Sequence, residues 1–158
     1  MARFIIEGGQ RLQGELTPQG AKNEALQVIC ATLLTADKVT ITNIPEIRDV
    51  IKLIEILKDL GLSVSRNQKG SYTFQADKID IDYLKSERFF SQAASLRGSI
   101  MIVGPLLARF GKGIIPQPGG DKIGRRRLDT HFRGFEMLGA TFHFDAAKSL
   151  YEVEAPAL

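Results

Sequence analysis

Ile47-Arg48-Asp49-Val50-Ile51-Lys52-Leu53-Ile54-Glu55-Ile56-Leu57-Lys58-Asp59-Leu60-Gly61 is the stretch that decides how this chain is built. Val50, Ile51, Ile54, Leu57 and Leu60 recur at helical spacing. One face is therefore apolar and the other charged, the pattern of a helix that covers a sheet with one side to water. Gly61 stands where a left-handed C-terminal cap belongs. Beyond it, residues 63–66 and 72–75 predict a hairpin across Asn67-Gln68-Lys69-Gly70. Before it, residues 22–34 read as a helix and 39–42 as a strand. Residues 4–7 and 12–16 read as short strands joined at Gly8-Gly9-Gln10.

The same order then recurs. Residues 91–109 predict a helix bent at Pro105, 113–115 a strand, and 128–138 a helix stopped at Gly139. Residues 141–144 and 150–154 predict a closing hairpin. Leu33-Leu34 is answered 73 residues later by Leu106-Leu107, and Leu60-Gly61 is answered 78 residues later by Leu138-Gly139. The five additional residues fall in the loop Gln117-Pro118-Gly119-Gly120-Asp121-Lys122-Ile123-Gly124-Arg125-Arg126-Arg127. An insertion confined to one loop of a repeated unit marks a functional face. Residues 25–34 and 100–108 are apolar nearly all round and predict interior helices. Residues 47–60 and 128–138 are amphipathic and predict covering ones. The implied fold is α/β, a β-α-β-α-β-β unit present about twice. One unit cannot close a core alone, so the two copies should pack together.

Composition limits the functional classes. Hydrophobic residues make up 44% and charged residues 25% of the 158, enough for a proper core. Cys30 is the one cysteine, so no intrachain disulfide is possible and a reducing compartment fits. The first residues carry no long apolar run, and the longest apolar stretch, 100–108, is too short to span a bilayer. A soluble, cytoplasmic protein without membrane association is expected. The formal charge of +3 is too mild to imply a nucleic-acid partner. Residues 117–130 also lack the aromatics that RNA modules interleave with basic residues. His131, His143 and Cys30 have no ligand spacing, and there is no P-loop, dinucleotide fingerprint or nucleophile elbow. No metal or cofactor is therefore expected. Cys30, mid-helix among apolar residues, reads as core.

Four places have charge where chemistry could use it. Gly20-Ala21-Lys22-Asn23 opens a buried helix, whose free N–H groups and dipole favour an anion; Lys22 is equally an ordinary solvated lysine there. Arg97 lies among small and apolar residues at the start of another buried helix, which calls for an acid partner or an anionic ligand. Lys122, Arg125, Arg126 and Arg127 crowd into six residues beside glycines that let a ligand approach the backbone. Asp121, between Gly120 and Lys122, serves either as a general acid or base or as a charge balance. Asp129 reads as the N-cap of the next helix and His131 as a packing residue.

In order along the chain, Gly20-Ala21-Lys22-Asn23, Leu96-Arg97-Gly98-Ser99, Gly104-Pro105-Leu106-Leu107-Ala108-Arg109-Phe110-Gly111 and Pro118-Gly119-Gly120-Asp121-Lys122-Ile123-Gly124 resemble the motifs of the enolpyruvyl transferases. Among these they resemble the UDP-N-acetylglucosamine 1-carboxyvinyltransferases. The resemblance runs from about Phe4 to Val153. Asn23 favours that family over its shikimate-pathway sister, which carries serine after the lysine.

The resemblance implies the inside-out α/β barrel fold and transfer of enolpyruvyl from phosphoenolpyruvate to the 3′-hydroxyl of UDP-N-acetylglucosamine, with phosphate release, in peptidoglycan synthesis. It implies that Lys22 holds phosphoenolpyruvate and Asn23 the sugar, and that Arg97 and Arg126 neutralise the anionic substrates. Gly120 belongs to the substrate-binding loop. Asp129 falls in the uridine-binding segment, with His131 close behind. Asp121 stands where most members carry cysteine, as in an aspartate variant of the family, at a position associated with proton transfer and product release. That cysteine is the one fosfomycin alkylates, so insensitivity is implied. Lys122 and the arginines should hold Asp121 ionised, whereas burial and a bound anionic substrate should raise its pKa. Its acid form is therefore expected only in a closed, loaded enzyme.

The sequence departs from the family where Arg126-Arg127-Leu128-Asp129-Thr130-His131 replaces the common Arg-Pro-Val-Asp-Leu-His. Family members are also much longer, with two domains of three units each. On that pattern residues 1–21 join the second domain, 22–82 are a first unit, and 83–158 are a second unit holding the catalytic loop 117–127. The chain is then an N-terminal fragment, expected to be inactive and to self-associate alone. Two other readings stand beside this one: a 3-phosphoshikimate 1-carboxyvinyltransferase-like enzyme, and a non-catalytic nucleotide- or anion-binding module.

Overall fold

A computed structural model describes residues 3–116, 128–146 and 149–156. The first repeat runs α1 (Lys22–Ala31), a 3-10 turn (Thr32–Leu34), β1 (Lys38–Ile41), α2 (Arg48–Asp59), β2 (Ser63–Gln68) and β3 (Ser71–Gln75). The second opens with a 3-10 turn (Ile81–Lys85), α3 (Glu87–Ala94), a further 3-10 turn (Arg97–Ile102) and α4 (Val103–Phe110). It continues through β4 (Lys112–Pro116), α5 (Asp129–Met137), β5 (Thr141–Asp145) and β6 (Leu150–Glu154). Each repeat forms a three-stranded antiparallel sheet with its last strand in the middle, in the orders β1-β3-β2 and β4-β6-β5. The two sheets are topological copies, as the sequence repeat requires.

Local chemistry explains the boundaries. α2 buries Val50, Leu53, Ile54, Ile56 and Leu57, while Ile51 is only half-buried. The apolar stripe is thus rotated slightly from the one read off the sequence. At its end Gly61 has φ +106°, and the Leu62 N–H donates to the Leu57 carbonyl at 2.9 Å. Gly139 repeats the cap with φ +94° and a 2.9 Å bond from the Ala140 N–H to the Phe135 carbonyl. Both are glycine caps that satisfy otherwise orphaned carbonyls.

The long helix expected over 91–109 is three pieces, and the bend is not at Pro105. α3 stops at Ala94, and the two flanking segments meet at 119°. Side-chain hydroxyls end α3: Ser95 Oγ donates to the Gln92 carbonyl at 2.8 Å and Ser99 Oγ to the Ala93 carbonyl at 2.9 Å. Pro105 lies in the first turn of α4, where a missing N–H costs little.

The two repeats share one core. Ile29, Leu33 and Phe74 of the first pack with Phe89, Ile102 and Leu106 of the second, so neither repeat closes its interior alone. A smaller cluster of Ile100, Val103, Leu107 and Val153 lies beneath α5. There the Phe132 ring sits 4.9 Å from Phe142 and 4.8 Å from Tyr151. Arg109 joins the repeats at the backbone. Its Nη1 donates to the carbonyls of Leu33 at 2.9 Å, Thr35 at 3.3 Å and Ala76 at 2.8 Å, taking up acceptors that the end of α1 and the exit of β3 leave open.

Two expectations are corrected. Residues 4–7 and 12–16 form no strands; Phe4, Ile6, Leu12 and Leu16 are about nine-tenths exposed, and among the described residues no strand pairs with them. A strand exists only through its ladder. The first observed repeat is therefore α-β-α-β-β and the second α-α-β-α-β-β, neither with a leading strand. The stretch 25–34 is not interior on all sides, since Val28 of α1 and Leu34 of the 3-10 turn after it are exposed. α5 covers its sheet as expected, with Phe132 and Phe135 half-buried on the smaller core cluster and Met137 exposed. Among the described residues no single helix is long and apolar enough to cross a membrane.

Candidate functional site

The starts of α1 and α2 and the turn at Arg97 open onto one cleft of about 860 Å³. Its polar lining comes from Lys22, Asn23 and Gln27 on α1, Arg48, Asp49 and Lys52 on α2, and Ser95 and Arg97. Two glycines make the convergence possible. A Cβ on Gly20 would collide with the Asn43 carbonyl oxygen, so glycine lets the start of α1 lie against the segment that leads into α2. A Cβ on Gly98 would sit 2.9 Å from Leu26 Cδ1, so glycine also lets the Arg97 turn close onto α1. Leu26, Leu96 and Ile100 are buried along the cleft and give it an apolar floor.

The electrostatics favour an anion. Two helix N-termini present free N–H groups, and four cationic side chains face one carboxylate among the described lining residues. Lys22 Nζ donates to Asp49 Oδ2 at 2.9 Å, and Lys52 Nζ to Ser95 Oγ at 3.3 Å. The ion pair at the mouth is not deeply desolvated: the Lys22 and Asp49 side chains are 47% and 41% exposed. A ligand can therefore reach them without unfolding anything.

Beside the cleft, Glu46 fixes the segment that feeds α2. Arg66 Nε and Nη2 donate to its two oxygens at 2.8 and 2.9 Å, and the Gly70 N–H and Tyr72 Oη donate at 3.0 and 2.9 Å. The hydrogen bonds from Arg66, then those from Gly70 and Tyr72, hold its carboxyl down to about 2. Burial, and next the bond to Glu46, pushes the Tyr72 phenol up. Asp59 does a similar joining job between α2 and α3, accepting from Arg88 Nη2 at 2.9 Å and Gln92 Nε2 at 2.9 Å.

Of the residues picked out in the sequence, Lys22, Asn23 and Arg97 line the same cleft. Arg48, Asp49 and Lys52 on an amphipathic helix read as its solvated face; only the position of Arg48 and Asp49 in the first turn of α2 points to anything more. Asp129 and His131 lie in the first turn of α5, exposed, and do not line the cleft. Asp129 is not the N-cap: Leu128 occupies that position with no side-chain cap, and Asp129 is the first helical residue. His131 is exposed rather than packed. Gly120, Asp121 and Arg126, with the whole loop 117–127, lie outside the described residues. Cys30 is buried in the core as expected, and burial pushes its thiol up, away from the thiolate a nucleophile needs. Among the described residues no three His, Cys, Asp or Glu side chains come together in a metal-binding group.

Comparison with known proteins follows the same lines. The family model for EPSP synthase (3-phosphoshikimate 1-carboxyvinyltransferase) matches residues 6–155. A UDP-N-acetylglucosamine 1-carboxyvinyltransferase of Bacteroides thetaiotaomicron is 55% identical over all 158 residues. Proteins of the same name from Porphyromonas gingivalis and Bradyrhizobium diazoefficiens are 52% and 42% identical over 158 and 156 residues. The chain spans 36%, 36% and 35% of these relatives' lengths. Among solved structures, the enolpyruvyl transferase NikO from Streptomyces tendae superposes with a TM-score of 0.73 at 21% identity, over 96% of this chain and 32% of that one. An EPSP synthase from Acinetobacter baumannii gives 0.56 at 15% identity, over 90% of this chain and 32% of that one. At such identities these two likenesses speak for the fold alone.

Proposed function

The chain belongs to the EPSP synthase family, and from that premise we propose that it is part of a UDP-N-acetylglucosamine 1-carboxyvinyltransferase acting in peptidoglycan precursor synthesis in the cytoplasm. The observation that carries the reading is the convergence of Lys22, Asn23 and Arg97 on one cationic cleft. The names of relatives at 52–56% identity over the whole chain favour the amino-sugar acceptor over 3-phosphoshikimate.

The chemistry asks for what this cleft contains. The 3′-hydroxyl gives its proton to a base as its oxygen attacks C2 of phosphoenolpyruvate and an acid delivers a proton to C3. Loss of a proton from C3 and of phosphate from C2 then restores the double bond as an enol ether. Both substrates are anionic, so Lys22 and Arg97 suppress their repulsion and stabilise the charge that develops. Asn23, beside Lys22 at the start of α1, holds the sugar. Asp121 and Arg126 supply the proton and a further cation from the loop 117–127. With about a third of the relatives' length present, the chain alone is expected to be inactive and to self-associate.

The test is phosphate release by the gene product that carries these residues at its full length, with phosphoenolpyruvate and either acceptor. Turnover with UDP-N-acetylglucosamine and none with 3-phosphoshikimate is expected; the reverse preference, or no turnover with either, would sink the reading. The same enzyme is expected to keep its activity after incubation with fosfomycin, because Asp121 offers no thiolate. Time-dependent inactivation would contradict the place assigned to Asp121.

A further inference from the structure

Asp49 is the one carboxylate among the described residues that line the cleft, against Lys22, Arg48, Lys52 and Arg97. An anion site gains nothing from it by charge alone. Nor does the fold have much need of it, because the Lys22–Asp49 pair is nearly half exposed and pairs of that kind contribute little to stability. Its placement is nevertheless specific. Lys22 is the first residue of α1, the helix end where a cation is disfavoured by the dipole. Asp49 is in the first turn of α2, where the dipole favours an anion. The 2.9 Å contact between them ties the two helix starts across the mouth of the cleft.

We infer that Asp49 is a positioning residue: it orients the Lys22 ammonium in the cleft and leaves the remaining Lys22 donors directed at the bound anion. An ammonium has three donors on a flexible four-carbon stem. Engaging one of them with a carboxylate carried by a different helix removes the freedom of the stem while leaving two for ligand oxygens. Without that anchor Lys22 still attracts an anion but no longer meets it in one geometry. Reaction rate depends on geometry more steeply than binding does. This inference rests on the proposed transferase reading, in which Lys22 meets phosphoenolpyruvate.

Simple electrostatics and positioning predict opposite outcomes, which makes the idea testable. Removing the one carboxylate among the described lining residues should strengthen anion binding if charge is all that matters. In the full-length enzyme, Asp49→Asn is expected to lower kcat about tenfold to a hundredfold. KM for phosphoenolpyruvate should stay level or fall, and the melting temperature should move by no more than about 3 °C. Asp49→Glu, which keeps the carboxylate, is expected to recover most of the loss. Asp82→Asn, which breaks the exposed Lys85–Asp82 contact at 3.8 Å away from the cleft, serves as the control and should leave kcat unchanged. Three results would overturn the inference: kcat of Asp49→Asn within twofold of wild type, equal losses for Asn and Glu, or a loss that tracks a fallen melting temperature. Wild-type enzyme that releases no phosphate would instead fail the functional reading itself.

Discussion

Arg109 offers the sharpest test of how the two repeats are joined. Its Nη1 reaches three carbonyls of the first repeat, two of them at 2.8 and 2.9 Å and the third at 3.3 Å. Arg109→Met keeps the aliphatic stem and removes the donors. The two short bonds come from a charged group and contribute about 1.5 kcal/mol each. The long one adds little, as does the guanidinium 4.9 Å from the Phe110 ring at about 0.5 kcal/mol. The sum is about 3 kcal/mol, with some returned because the site is half-buried and water can reach the freed carbonyls. In a chain of this size about 1 kcal/mol moves the midpoint by about 2–4 °C, so a drop of about 6–12 °C is expected in thermal unfolding of the 158-residue chain. Arg109→Lys, with its charge concentrated on one nitrogen, should fall about halfway. A Met variant melting within about 2 °C of wild type, or Met and Lys variants melting together, would refute the view that this guanidinium holds the repeats together.

Other expectations follow from the same contacts. Glu46 has a folded pKa of about 2 against an ordinary 4.5, so its stabilisation is complete above about pH 4.5 and is lost as pH falls toward 2. The difference in melting temperature between wild type and Glu46→Gln should therefore be largest near neutral pH and vanish near pH 2; a difference that grows with acid would contradict the assigned partners. Gly98→Ala places its Cβ against Leu26 Cδ1 and should cost about 1 kcal/mol in urea unfolding, with Leu26→Ala offsetting it in a double-mutant cycle; independent, additive losses would show that the turn does not close on α1 there. The exposed Phe4, Ile5, Ile6, Leu12 and Leu16 should make the isolated chain self-associate in light scattering, and deleting residues 1–19 should reduce it; a clean monomer at high concentration counts against that expectation.

Where the sequence was readable, it was because one interaction dominated. The caps at Gly61 and Gly139, the two hairpins and the amphipathic α2 are set by backbone geometry and local apolar period. Those signals survive without knowledge of neighbours. The break after Ala94 was not readable, because Ser95 and Ser99 look like ordinary helix residues until their hydroxyls turn back onto the carbonyls of α3. Pro105 drew attention instead, although a proline in a first turn disturbs little. Apolar character alone also misled at residues 4–7 and 12–16, since β pattern needs a ladder that no described strand provides. At the cleft, Lys22, Asn23 and Arg97 were visible through motif and local surroundings. Arg48, Asp49 and Lys52 were hidden by the amphipathic pattern that made α2 so easy to recognise.

The repeat relates those hidden residues to the visible ones. At the 73-residue spacing that aligns Leu33 with Leu106, Lys22 corresponds to Ser95 and Glu24 to Arg97. Ser95 and Arg97 line the cleft with Lys22, so its two sides come from corresponding places in the two copies, the start of α1 and the start of the 3-10 turn that leads into α4. At the 78-residue spacing that aligns Leu60 with Leu138, Arg48 corresponds to Arg126. One copy thus has at the start of α2 the residue type that the other has in its inserted loop. Duplicating a unit whose helices begin on one side brings several helix N-termini to one face. Substitution there supplies cations without disturbing either sheet. The carboxylate of Asp49 has Arg127 as its counterpart at that spacing, a reversal of charge that also occurs between Glu55 and Arg133. What sets Asp49 apart is its 2.9 Å contact with Lys22 across the mouth of the cleft, which is what orienting a lysine requires and not what stabilising a sheet or a core requires.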